Sequence, residues 1–215
     1  MKVLALADDC WHPARIPQAG LQPITQQGFD IDWILDAQDW TAERMAAYPL
    51  VILTKSNNRT STDQSSWMTD DVQAAFVRYI QHGGGLTVIH SGSAGYQQCQ
   101  ELRRLMGGVF LQHPPQCEVN WRAQGSHSLA QTVSEFRLRD EHYFMALDAS
   151  DADVFMVSAS QYGEQPAGWV RAEGKGRVCV LTPGHNLDVW LHPVYQNLLV
   201  SALNWCGGHQ ATGVL

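Results

Sequence analysis

The chain has 215 residues, of which 45% are apolar and only 16% charged, against about 25% charged in an average soluble protein. This composition excludes a disordered chain, and the length predicts one α/β unit spanning 1–215. The 21 acidic and 14 basic residues leave a formal charge of -7, which gives no attraction toward nucleic-acid phosphates or anionic lipid headgroups.

The first residues, Met1 to Ala7, run straight into Asp8-Asp9. That run is too short and too soon acidic for a secretory signal, and no stretch approaches the roughly 18 apolar residues of a membrane span. The expected location is therefore the cytoplasm, with neither nucleic acid nor membrane as partner. Cys10, Cys99, Cys117, Cys179 and Cys206 are odd in number and widely spaced, with no C-x-x-C pair. They read as free thiols rather than as a disulfide framework or a thiolate zinc site. Charge says nothing about self-association, so a homo-oligomer stays open.

In chain order, Lys2 to Ala7 predicts a short apolar strand. The alternation of Phe29, Ile31, Trp33 and Leu35 predicts a second, and the run Leu50-Val51-Ile52-Leu53 a buried third. Thr69 stands as the cap of a helix with Asp70 and Asp71 in its first turn and Val72, Ala75, Phe76, Tyr79 and Ile80 as its apolar stripe, ended by Gly83-Gly84-Gly85. Leu86 to Ile89 is a core strand that enters the small-residue turn His90-Ser91-Gly92-Ser93-Ala94-Gly95, with a helix from Gln98 to Met106. Strands follow at 153–158, 167–171 and 177–182 as antiparallel neighbours, the last two joined by a hairpin at Glu173-Gly174-Lys175-Gly176. Pro193 opens a closing helix that buries Val194, Leu198, Leu199, Ala202, Leu203 and Trp205 and stops at Gly207-Gly208.

Several histidines fall at strand ends or in loops: His12, His90, His113, His127, His142, His185 and His192. Polar groups gathered beyond strand ends are the usual pattern of a functional cleft in an open α/β sheet. His90, at the strand-to-turn position, suits a general base, a general acid or a metal ligand, and equally a hydrogen-bonded structural imidazole. Ser91 and Ser93 follow it, but the turn lacks the full G-x-S-x-G elbow, so a serine hydrolase is disfavoured. In Asp140-Glu141-His142-Tyr143, an extended run turns Glu141 and Tyr143 to one side as an acid/base pair; a solvated loop is the competing reading. His185, in Pro183-Gly184-His185, and His192 suit a divalent ion with a carboxylate, or capping and packing. Tryptophans in loops match the apolar faces of sugar rings but serve as well in the core. A nucleophilic Cys10 needs a depressed thiol pKa that Asp8 and Asp9 oppose.

Taken in order, Gly83 to Gly92, Asp140-Glu141-His142-Tyr143, Trp169-Val170-Arg171 with Gly174-Lys175-Gly176-Arg177-Val178, Pro183-Gly184-His185 and His192-Pro193 resemble the signature of the ThuA-like (trehalose utilisation) family. The resemblance runs from the first strand to Trp205. It implies a flavodoxin-like α/β three-layer sandwich with a mainly parallel sheet, of the class I glutamine amidotransferase-like type. It also implies a role in sugar metabolism, with a disaccharide or keto-sugar as the small-molecule partner. His90 resembles the residue at the position where a true glutamine amidotransferase carries its cysteine, so thiolate amidotransfer is not expected.

By the same match, Glu141, Tyr143, His185 and His192 resemble the family's recurring polar positions. His127, in Gly125-Ser126-His127-Ser128, resembles its loop histidine, with Ser128 where proline is more usual. His12, after the first strand, is placed by such a fold near the end of the strand bearing His90. The expected site thus has His90, Glu141 and His185 as catalytic residues. His12, Ser91, His127, Tyr143 and His192 are expected to contact substrate. A divalent ion such as zinc or manganese, if present, is expected on His90, Glu141 and His185. The reading from another class is a non-catalytic sugar-binding or regulatory protein using the same residues.

Overall fold

The computed structural model describes residues 1–208; residues 209–215 of the expected 1–215 unit lie outside the described residues. Eleven strands and six helices follow one another as β1 (Lys2–Leu6), α1 (Arg15–Thr25), β2 (Asp30–Ile34), α2 (Ala42–Ala46), β3 (Leu50–Leu53), α3 (Asp70–Gln81), β4 (Gly85–Ile89), α4 (Gln100–Met106), β5 (Gly108–Gln112), β6 (Cys117–Ala123), β7 (Phe136–Asp140), β8 (Phe144–Leu147), β9 (Asp153–Ser160), β10 (Gly163–Glu173), β11 (Gly176–Leu181), α5 (Leu187–Trp190) and α6 (Pro193–Cys206). Nine strands form one sheet in the order β2-β1-β3-β4-β11-β10-β9-β6-β7, and β5 pairs with β8 apart from it.

The sheet is mixed. From β2 to β11 every pairing is parallel, and from β11 to β7 every pairing is antiparallel. The central strands are covered on both faces, which is why they read as unbroken apolar runs. Alternate residues serve different layers. Val3, Ala5, Leu50, Ile52 and Leu181 pack with Leu21 and Ile24 of α1 and Leu198, Leu199 and Leu203 of α6. Leu4, Leu6, Val51, Leu53 and Val180 pack with Met45 of α2, Phe76 and Ile80 of α3, and Leu102 and Leu105 of α4. The result is a three-layer α/β sandwich.

The predicted strands at 153–158, 167–171 and 177–182 are β9, β10 and β11, antiparallel as expected, with Gly174 at φ +60° in the hairpin. Thr69 caps α3, its hydroxyl accepting from the Val72 N–H at 3.3 Å. Helices α1, α2 and α5 went unread. Helix α1 contains Pro17 and Pro23. Pro17 lies in the first turn, where no N–H partner is needed, whereas Pro23 lies inside the last turn and removes one backbone donor there. Strands β5 to β8 were also missed, and Asp140-Glu141-His142-Tyr143 is not one extended run: Asp140 ends β7 and the next three residues turn the chain into β8.

At the end of β4 the chain bends sharply. His90 is a non-glycine residue at φ +47°, and a Cβ on Gly92 would lie 1.9 Å from the Leu53 carbonyl oxygen. The turn is thus wedged against β3, and only glycine fits there. Replacing Thr69 by alanine removes one cap and is expected to cost about 1 kcal/mol in urea unfolding. Gly92→Ala must displace the elbow or β3 and is expected to cost about 3 kcal/mol or more. Equal, small effects of the two substitutions would contradict this account of the turn.

Candidate functional site

The bends after β1, β4 and β11 lie together at the carboxyl ends of the parallel strands, the usual place for a cleft in an open α/β sheet. They bring His12, His90 and His185 into mutual contact. His12 lies edge-on to His90 at 4.9 Å and to His185 at 5.1 Å between ring centres.

The fourth member comes from the far edge of the sheet. Asp140, fully buried at the end of β7, accepts the backbone N–H groups of Gly184, His185 and Asn186 at 2.9, 3.1 and 3.0 Å. This clasp ties β7 to the loop after β11 and sets Glu141 among the imidazoles. Burial pushes the Asp140 carboxyl up to about 7, against the pull of those amides.

Glu141 is the hub. Its Oε2 lies 3.3 Å from His90 Nε2 and 3.9 Å from His12 Nε2, and its Oε1 lies 3.1 Å from His185 Nδ1 and 3.6 Å from His113 Nε2. One ligand atom from each of His12, His90, Glu141 and His185 falls within 4.8 Å of all the others. His90 is only 1% exposed, and Glu141 11%.

Hydrogen bonds behind the rings settle which nitrogens face inward. His90 donates its Nδ1–H to the Thr182 carbonyl at 2.8 Å, which leaves the Nε2 lone pair facing Glu141. His12 donates its Nδ1–H to Asp9 at 3.0 Å, and the same carboxylate also accepts the Trp11, His12 and Ser56 amides. His12 Nε2, His90 Nε2 and His185 Nδ1 are all buried without a hydrogen-bond partner. Lone pairs converging on a carboxylate need a cation or a proton between them. Carboxylate and carbonyl groups that orient ligating imidazoles from behind are the usual surroundings of a protein metal site. The donor set of three nitrogens and one carboxylate oxygen fits zinc or manganese. His12 thus joins His90, Glu141 and His185 as a candidate ligand.

The charges follow from this packing. Burial would raise Glu141, but His12, His185 and His90 hold it well below the ordinary carboxylate range. Burial pushes His90 down to about 4, with Glu141 pulling upward and His12 repelling a second charge. Burial alone would lower His12 as well, yet hydrogen bonds and charge from Asp9 and Glu141 raise it to about 9. In the metal-free site, then, His12 carries the proton and His90 is neutral.

Tyr143 stacks on His90 at 4.0 Å between ring centres and is buried, which holds its phenol protonated. Ser91 is buried beside His90 with its hydroxyl unpartnered. His127 and His192 lie elsewhere. His127 Nδ1 accepts the Leu129 N–H at 3.2 Å, and its ring meets Trp205 edge-on. His192 precedes α6 and stacks on Phe136, at the opposite end of β7 from Asp140. A turn and packing account for His127, whereas His192 packs on Phe136 with its Nδ1 buried and without a hydrogen-bond partner. His142 also turns away, toward Ser158 and Ser160. His113, Asp9 and Asp140 belong to the site but were not among the expected residues. Their signals were faint: a loop histidine, an Asp-x-x-His spacing and an acidic neighbour of Glu141. Burial and the Asp9 charge raise the Cys10 thiol, which disfavours it as a nucleophile.

The family model described as ThuA, trehalose utilisation, matches residues 2–206. No curated protein matches the chain. Among solved structures, a ThuA-like protein from Parabacteroides merdae superposes with a TM-score of 0.80 at 17% identity, over 100% of this chain and 92% of that one. A cytoplasmic protein from Salmonella typhimurium superposes with a TM-score of 0.68 at 16% identity, over 96% and 99%. A β-galactosidase from Rahnella sp. R3 contains a similar fold in 30% of its length, with a TM-score of 0.65 at 14% identity over 93% of this chain. At these identities the likeness is one of fold.

In an NMR titration of the metal-free protein, His12 is expected to lose its proton near pH 9 and His90 to gain one only near pH 4. Because the folded pKa of His12 lies above its unfolded value, its contribution to stability is complete below about pH 6.5 and disappears as pH rises through about 9. The difference in unfolding free energy between wild type and His12→Gln should accordingly shrink from pH 6 to about pH 9.5. A constant difference would contradict the assigned charge.

Proposed function

The chain belongs to the ThuA family, and on that premise we propose that it is a sugar-metabolising enzyme acting on a disaccharide or keto-sugar by proton transfer at the His/Glu centre. The single observation that supports it most is the convergence of three buried, unpartnered imidazole nitrogens on one carboxylate, each of two imidazoles fixed from behind by an acceptor. Such a constellation is costly unless a ligand satisfies it.

His12, His90, His185 and Glu141 would hold a divalent ion, zinc or manganese by their chemistry. When bound, the ion supplies Lewis acidity, polarising a sugar carbonyl or lowering the pKa of water. The chain's own residues do the rest. Asp9 and the Thr182 carbonyl fix the tautomers of His12 and His90. Tyr143 fixes the plane of the His90 ring and keeps water from one of its faces. His113, 35% exposed and 3.6 Å from Glu141, is the member of the cluster best placed to pass a proton between the centre and solvent. Among the described residues no helix is long and apolar enough to cross a membrane, which supports the proposed cytoplasmic location.

Elemental analysis of the purified protein is expected to find about one zinc or manganese per chain. His90→Ala and Glu141→Gln each remove a ligand and are expected to lose it, while Asp9→Asn, which only disturbs the orientation of His12, should weaken affinity by about 10- to 100-fold. Since His12 must surrender its proton to bind, metal uptake at pH 7 should release about one proton, and affinity should rise with pH up to about 9. Turnover of disaccharides or 3-keto-sugars should vanish in chelator and return with the metal. Sugar binding without turnover under any metal would favour a non-catalytic sugar-binding protein. Metal-free wild type with variants indistinguishable from it would overturn the proposal.

A further inference from the structure

We propose that His142 is the positioning residue for Glu141: strung between Ser160 and Ser158 of β9, it pins the turn 141–143 from behind and so sets Glu141 and Tyr143 against the imidazoles. This deepens, and rests on, the reading of His12, His90, Glu141 and His185 as one metal-holding centre.

His142 stands between two members of the site yet faces away from the cluster, and it is only 1% exposed. Taking an imidazole out of water is costly unless its nitrogens find partners, and here both do. Nδ1 lies 2.8 Å from the Ser160 hydroxyl and Nε2 lies 3.0 Å from the Ser158 hydroxyl. The two serines are two residues apart on one strand, so their side chains share a face of β9, where one ring reaches both.

The hydrogens of this row can be placed by counting donors and acceptors. The Tyr162 amide donates to Ser160 Oγ at 3.0 Å, and the hydrogen of that hydroxyl has His142 Nδ1 as its acceptor. Ser158 points its own hydrogen toward the Gln165 carbonyl at 3.5 Å, which leaves its oxygen to accept from His142 Nε2–H. Every bond then runs one way, from the Tyr162 amide through Ser160, His142 and Ser158 to the Gln165 carbonyl, and only the Nε2–H tautomer fits. Burial lowers the His142 pKa and keeps the ring in that neutral form at pH 7. Gln165 adds a second tie just past the turn, its side-chain oxygen accepting the Met145 amide at 3.2 Å.

Glu141 is therefore held from both neighbours. On one side Asp140 clasps the loop after β11, and on the other His142 is tied to the hairpin of β9 and β10. A carboxylate between two fixed residues has little freedom to leave a cluster whose ligand atoms converge within 4.8 Å. Tyr143, stacked on His90 at 4.0 Å, is set by the same pin.

The test measures zinc affinity by competition with a chromophoric chelator, together with NMR of the metal-free protein. His142→Leu and the milder Ser160→Ala should each weaken zinc binding by about 10- to 100-fold, the usual cost of losing a group that orients a ligand. His142→Gln, whose amide also offers an acceptor and a donor, should recover most of that loss. Thr69→Ala, which loosens only the cap of α3, should keep wild-type affinity and so separates positioning from stability. In wild type the ring nitrogens should show His142 protonated at Nε2 and not at Nδ1. His142→Leu should also move the Tyr143 ring signals away from the positions that stacking on His90 imposes. A His142→Leu protein with wild-type zinc affinity and unmoved Tyr143 signals would overturn the proposal, as would an Nδ1–H tautomer. A wild type that takes up no zinc would overturn the centre, while the tautomer and the Tyr143 signals, read without metal, would still decide the pin.

Discussion

The candidate site depends on one buried carboxylate that holds its loops together. Asp140 joins the last residue of β7 to three successive amides in the loop after β11. That clasp, with the Asn186 side-chain amide donating to the Arg139 carbonyl at 3.0 Å, brings Glu141, which follows the outermost antiparallel strand, among histidines borne on the parallel half. The geometry is demanding because a fully buried carboxylate must find its donors in the fold, and here the donors are backbone. Function in this protein is thus anchored by hydrogen bonds between main chain and side chain that any reading of reactive groups alone passes over.

Asp9 plays the corresponding part for the first loop. It gathers three amides and the His12 ring, and its carboxyl is held down to about 2 by them despite burial. The two aspartates differ in effect. Asp9 transmits charge to a ring nitrogen and so determines where a proton resides. Asp140 sets position, and its charge also bears on the neighbouring Tyr143 phenol. Together with the bend at His90, they hold the chemically active groups on turns whose backbones have little freedom, as a preorganised site requires.

Much of this could be read from the residues. The central strands declared themselves because burial on both faces demands continuous apolar runs, as in Leu50 to Leu53. The cap at Thr69 and the hairpin at Gly174 carry local chemistry that context did not override. His12, His90 and His185 were legible because each follows a strand that the sequence showed, and Glu141 because it stands in the polar run Asp140-Glu141-His142-Tyr143. What failed to show was of two kinds. Strands such as Cys117–Ala123 and Phe136–Asp140 have one wet face and arginines at intervals, which blurs their alternation. The supporting aspartates and His113 act on partners far away in sequence, and only the folded chain brings them together. His127 and His192 lie apart from the cluster, packed against Trp205 and Phe136, a distance in space that their place in the sequence did not show.

The positive φ of His90 has a consequence for durability. This bend carries an imidazole and no thiol, and the five cysteines are distributed elsewhere as free thiols. A sulfur nucleophile can climb through sulfenic to sulfinic acid, the later step being irreversible for most proteins. An imidazole has no such ladder. A histidine in this bend is therefore spared the thiol oxidation that a cysteine at the same position would undergo.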